Sequence, residues 1–176
     1  MISPPKWLDF LLVLGASTSL RDAEITIESF KKQLTPDAGL RMGISVGVVD
    51  NVQAFAISVA ENCTNIWIHP VAESLRTKAL NDLVRASDAS YVAVVDPGEV
   101  LAPGAVMHIY DALEKCNFSA DVLYSDEDKQ GQGDFNSHVY LKPEWSPELL
   151  QSFNYFGRLT VMRAHLVKEV GLFDES

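Results

Sequence analysis

Positive charge is in short supply in this chain. Its 176 residues carry 14 Lys and Arg against 24 Asp and Glu, a formal net charge of −10. Nucleic-acid binding draws its affinity from phosphate neutralisation and counterion release, and a grip on anionic lipid needs clustered cations, so neither partner is expected. Cysteine is scarce as well. Cys63 and Cys116 lie far apart in ordinary core-like settings, which suits thiols in a reducing compartment better than a bridge or a metal pair. A cytoplasmic location is expected, with at most a peripheral association with the inner face of the membrane. No uncharged apolar run reaches about 20 residues, so no transmembrane segment is expected. Asp9 interrupts the apolar run around Trp7 to Leu14, which argues against a signal peptide. A G-x-G-x-x-G loop after a strand, a Walker-type loop and a G-x-S-x-G elbow are all missing, and with them support for dinucleotide, ATP-hydrolysing and nucleophile-elbow sites. His69, His108, His138 and His165 are scattered without metal-ligand spacing.

What the chain does have is apolar content, 47% of residues with mean hydropathy +0.05, enough to bury one core. Short apolar runs alternate with helical periodicity. Phe10 to Leu14 reads as a buried strand. Ser19 and Asp22 are spaced as a capping box, after which Ala23, Ile27, Phe30 and Leu34 mark a helix that Thr35-Pro36 stops. Ile44 to Val49 reads as a strand ending at Asp50, Val52 to Glu61 as a helix, and Ile66 to Ile68 as a strand. Ser74 opens a helix with an inner stripe of Leu75, Ala79 and Leu83, bordered by Val84, leaving Ser74, Lys78, Asn81 and Arg85 on the polar side. Tyr91 to Val95 is a strand, and Val106, Ile109, Leu113 and Cys116 define an amphipathic helix behind Pro103. Val122 to Tyr124 is another strand, Ser125 to Lys129 a charged turn, and Val139-Tyr140 a short strand. Ser146-Pro147-Glu148 starts a helix, Leu159 to Met162 is a strand, and Ala164 to Val170 a helix stopped by Gly171. The order predicts an α/β fold, a mostly parallel sheet with right-handed crossovers and helices on both faces. With no closing element after the final GLFDES, the single domain is expected to be incomplete at its carboxyl end.

The Tyr91 strand delivers Asp96 and Glu99 onto a Pro-Gly turn. Carboxylates at the carboxyl end of a buried strand lie where open α/β sheets bind ligands. Asp-Pro-Gly is also a good turn in its own right. Asp50 has two readings, as a cap for the following helix or as a ligand contact. The cluster Asp126-Glu127-Asp128 reads as a solvated turn, and Trp145, Phe153, Tyr155 and Phe156 as packing.

Three blocks, YVAVVDPGEVLAPGAV, ADVLYSDEDK and LKPEWSPELLQSFNYFGRLTVMRAHLVKEVGLF, together resemble family-2 glycosyltransferases of the GT-A fold, particularly those that build bacterial surface polysaccharides. They span Tyr91 to Phe173, and the amino-terminal half matches in layout only. The resemblance implies a nucleotide-binding half over residues 1–101 and the start of an acceptor half over 102–176. It implies transfer of a sugar from a nucleotide-diphosphate donor to a glycan or lipid-linked acceptor. Asp50 would meet the base or ribose, and Lys78 and Asn81 would lie near the diphosphate. Asp96 and Glu99 would hold Mg²⁺ or Mn²⁺. A cation is implied because bare carboxylates repel a diphosphate: unit charges 4 Å apart interact by about 4 kcal/mol at an effective dielectric of about 20. The sequence departs from the family's Asp-x-Asp motif at Gly98 and lacks its Pro-x-Tyr-Asn signature on the first strand, where Leu14-Gly15-Ala16-Ser17 stands. The family's catalytic base falls in an acidic motif beyond the matched blocks, so no catalytic residue is assigned. A GT-A-like module that binds without turnover is the alternative reading.

Overall fold

The computed structural model describes residues 6–33, 35, 37–71, 75–129 and 138–175. The elements run β1 (Leu8–Leu14), α1 (Leu20–Lys31), β2 (Ala38–Ser45), α2 (Asp50–Asn62), β3 (Ile66–Val71), α3 (Arg76–Ala86), β4 (Tyr91–Val95), α4 (Ala105–Lys115), β5 (Val122–Tyr124), β6 (Glu127–Lys129), β7 (His138–Tyr140), α5 (Pro147–Ser152), β8 (Thr160–Arg163) and α6 (Ala164–Glu169). Six strands form one sheet in the order β3-β2-β1-β4-β8-β5. The pairings among β1 to β4 are parallel, and β8 runs antiparallel to both β4 and β5. Hence β5 runs with β1 to β4, and β8 alone is reversed. The α/β architecture, mostly parallel with helices on both faces, is as the sequence predicts.

The two faces follow from strand alternation. Leu8, Phe10, Leu12 and Leu14 of β1 join a core with Ala23, Ile27 and Phe30 of α1, Val52 and Ala56 of α2, and Val106 and Leu113 of α4. Leu11 and Val13 point the other way, into a second cluster with Leu80, Leu83 and Val84 of α3 and Ala164 and Val167 of α6. The central strand is buried throughout, as expected where helices cover both faces of a parallel sheet.

Several boundaries differ from the sequence reading, each for a physical reason. β1 begins before Asp9, whose fully buried carboxylate accepts from Arg41 Nε of β2 and, at 2.7 Å, from Ser87 Oγ. A paired charge is tolerated inside a strand where a lone one is not. Likewise β2 covers Ala38–Ser45 rather than residues 44–49: Arg41 masked the strand, and Val46 and Val49, read as apolar strand residues, are exposed. Ser125 to Lys129 is not merely a turn, because Glu127–Lys129 pairs with β7 in a two-stranded sheet. Leu75 precedes α3 and is exposed, while the inner stripe is Ala79, Leu80, Leu83 and Val84. The same helix buries Asn81, expected on its polar side, because the 172–175 segment lies over it. Leu34, Pro36 and Ser74 lie outside the described residues.

Candidate functional site

The turn after β4 is built by polar residues of α1. Thr26, almost fully buried, accepts from Gly98 N at 2.9 Å while its hydroxyl faces the carbonyls of Glu99 at 2.8 Å and Asp96 at 3.2 Å. One turn on, Ser29 Oγ accepts from Leu101 N at 3.0 Å, and Gln33 donates to Ala102 O and accepts from Val106 N. Residues 26 and 29 share a face of α1 and Gln33 follows in the turn after it, so this ladder fixes the path from Asp96 to α4. The sequence signal was available as buried-side polar residues at helical spacing, but the apolar stripe hid it. Gly98 sits at φ +93°, where an L side chain is strained. Its N–H also donates to Asp22 O at 3.1 Å.

On the turn, Asp96 is held between two guanidinium groups. Its Oδ1 accepts from Arg76 through Nε, at 2.9 Å, and through Nη2. Its Oδ2 accepts from Arg158 Nη1. Glu99 folds back so that Oε2 accepts from Asp96 N at 2.9 Å, and Oε1 lies 2.9 Å from Arg158 Nε. Burial pushes the Glu99 carboxyl above the usual range, against the opposing pull of Asp96 N–H and Arg158.

Arg158 is itself positioned from behind. Its backbone N–H donates to Glu127 Oε2 at 2.8 Å, which with Lys142 holds the Glu127 carboxyl below its usual range. The buried Lys142 ammonium donates to Phe156 O and, at 3.0 Å, to Arg158 O. Gly157 between them adopts φ +56°, and a Cβ there would stand 2.8 Å from Glu127 Oε2. Tyr124 stacks on Phe156 with centroids 4.6 Å apart. The acidic 126–128 cluster therefore anchors the 156–158 loop, with Asp126 Oδ1 accepting from Lys142 N at 2.7 Å. Beside it opens a cleft of about 410 Å³ lined by Arg76, Thr77, Asn154, Phe156, Arg158 and Thr160 among others.

Of the remaining residues singled out from sequence, Lys78 lies half-buried in the first turn of α3. Asn81 is 1% exposed and is committed to the chain end: its amide donates to Phe173 O at 3.0 Å and Glu175 Oε1 at 2.8 Å and accepts from Phe173 N. It does not line the cleft. Asp50 is exposed in the first turn of α2 and does not cap it, since the N-cap residue is Val49.

The residues expected to hold a cation do not fit one as they stand. Both oxygens of Asp96 and Oε2 of Glu99 accept from N–H groups, Glu99 Oε1 is buried without a hydrogen-bond partner although it lies 2.9 Å from Arg158 Nε, Gly98 offers no side chain, and no cluster of three His, Cys, Asp or Glu suited to a metal occurs among the described residues. Arginine was the signal missed from sequence: Arg76 and Arg158 are far apart in the chain and meet only through the sheet.

The architecture is matched by solved structures. TarS of S. aureus superposes with a TM-score of 0.70 at 13% identity, over 93% of this chain and 49% of that one. Its complex with UDP-GlcNAc gives 0.69 at 14% identity, over 93% and 47%. The mannosyltransferase PcManGT of Pyrobaculum calidifontis, solved with GDP-Man and Mn²⁺, gives 0.67 at 12%, over 98% and 48%. The chain has the GT-A glycosyltransferase fold. Among curated proteins, the uncharacterized protein y4gI of Sinorhizobium fredii is 32% identical over 99 residues, 56% of this chain and 11% of its own length. The O-antigen biosynthesis protein RfbC of Myxococcus xanthus is 28% identical over 100 residues, 57% of this chain and 8% of its own length. No family model matches the sequence. The GT-A unit seen here thus spans about half of the solved relatives and roughly a tenth of the curated ones.

Proposed function

We propose that the chain is the donor-binding part of a glycosyltransferase that takes a sugar from a nucleotide-diphosphate donor to a glycan or lipid-linked acceptor in surface-polysaccharide synthesis. The observation that carries this reading is the cleft beside the carboxyl end of β4 in a GT-A sheet, flanked by Asp96 and two arginines where a nucleotide diphosphate would lie. The donor complexes of TarS and PcManGT and the likeness to RfbC support it. Within this reading Asp50, beyond the end of β2, faces the nucleoside, and Lys78 on the first turn of α3 lies toward the diphosphate. A Mg²⁺ or Mn²⁺ ion at Asp96 and Glu99, which the Mn²⁺ complex of PcManGT would suggest, requires both guanidiniums to leave Asp96 first.

A second reading, a GT-A module that binds donor without turning it over, is favoured by Gly98, which has no side chain to offer as a ligand at the Asp-x-Asp position and whose positive φ disfavours one. Thermal shift with UDP-, GDP- and dTDP-sugars, each with and without Mn²⁺, tests the common core of both. We expect stabilisation by one nucleotide sugar over ATP; no response to any of them rules out a donor site. Release of nucleoside diphosphate in the presence of acceptor then distinguishes an enzyme from a binding module.

A further inference from the structure

We propose that Arg76 and Arg158, organised by Asp96, bind the diphosphate of the donor directly and replace the divalent cation at this site. The inference rests on the donor-site reading above. A guanidinium carries five N–H donors in a rigid fork that matches phosphate oxygens. Asp96 takes three N–H donors from the pair and Arg158 Nε is turned to Glu99, which leaves further N–H donors on each fork: the side chains are 49% and 61% exposed and line one cleft.

Two exposed arginines on a carboxylate could be an ordinary surface pair of little consequence. Three features separate this pair from that case. Arg158 is built in from below: Glu127 accepts its N–H, the buried Lys142 ammonium holds its carbonyl and that of Phe156, and Gly157 supplies the positive φ the path needs. An exposed side chain needs no such foundation unless its direction matters. Second, the two cations sit together at the carboxyl edge of the sheet in a chain with an excess of acid, and they come from elements on opposite sides of Asp96. Third, α3 starts at Arg76 and Leu75 gives it no side-chain cap, so the positive end of that helix dipole opens toward the same cleft, through Arg76 and Thr77. In this arrangement Asp96 is a positioning residue. It spaces the two forks and leaves when phosphate oxygens compete for them.

The test is calorimetric titration of the chain with UDP, GDP and dTDP in EDTA and, separately, in Mn²⁺. The inference expects at least one of them to bind in EDTA, with affinity unchanged by Mn²⁺. Arg158→Ala and Arg76→Ala should each weaken it by about tenfold or more. Arg158→Lys, which keeps charge but loses the fork, should recover only part of the loss, and circular dichroism should show the variants folded. Lys142→Met is a second probe: it should weaken binding while Arg158 itself is intact. Binding that requires Mn²⁺ and ignores the arginines overturns this inference and leaves the donor-site reading standing. So does EDTA-insensitive binding that the alanine variants do not touch. If none of the three nucleotides binds in either buffer, the donor-site reading falls and this inference with it.

Discussion

At the residue scale, the turn after β4 resists an acidic side chain at position 98. Gly98→Asp would place a carboxylate at the second acidic position of an Asp-x-Asp pattern. Here it should cost about 1–3 kcal/mol, because φ is +93° and the new Cβ would lie 3.3 Å from Asp22 Oδ1. Urea unfolding should show the loss, and Mn²⁺ should not restore it. Glu99 behaves in the opposite sense. Its folded pKa is raised by burial, so its favourable contribution is complete below the unfolded carboxylate range and is lost as pH rises through the folded value. Glu99→Gln should therefore raise the melting temperature at pH 7 and make little difference near pH 4; a variant less stable than wild type at pH 7 would refute the assignment. Asp96 was visible in the sequence as the end of a buried strand. Its arginine partners were not, because Arg76 and Arg158 come together only when β8 lies beside β4.

At the scale of elements, helical periodicity reported the apolar side of α1 and missed its polar row. Thr26, Ser29 and Gln33 satisfy backbone groups of the 96–106 segment that would otherwise be buried without partners. Thr26→Val keeps the shape and removes the hydroxyl's bonds to Gly98, Glu99 and Asp96, and should destabilise by about 1–3 kcal/mol in chemical denaturation. Faster hydrogen exchange confined to residues 96–101 would show that the loss acts through the turn. The strands that were misplaced share one cause. Asp9 in β1 and Arg41 in β2 each looked like an interruption when read alone, yet each is the reason the other can be buried. A pattern read along one segment carries no information about a charge supplied by its neighbour. The apolar β4 and the helix behind Pro103 needed no partner to be recognised.

At the scale of the molecule, the amino-terminal edge of the sheet and its carboxyl edge use charge differently. At the amino-terminal edge Arg41 is enclosed, pairing with Asp9 and, at 2.7 Å, with Asp88, and its guanidinium lies 5.2 Å from the Trp67 ring centre. Asp9→Ala would strand that cation inside the protein and should cost about 3–5 kcal/mol, whereas it should leave nucleotide affinity in the folded fraction unchanged. At the carboxyl edge the arginines stay half in solvent, where a ligand can claim them. On the proposed reading, stability and recognition are thus separated by the length of the strands. The fold class was legible from the order of elements, because a parallel sheet needs a helix between successive strands; that residues 160–163 enter the sheet between β4 and β5 was not.

That late insertion bears on how the protein is made. While the ribosome is still translating the region before Thr160, β4 has its inner neighbour but an open flank, a bare ribbon of amide and carbonyl groups able to recruit a stray chain. Only when β8 emerges is the vacancy filled, and with it Arg158 arrives opposite Asp96. A nascent chain should therefore become resistant to aggregation and, on the proposed reading of the site, competent for ligand at the same stage of synthesis.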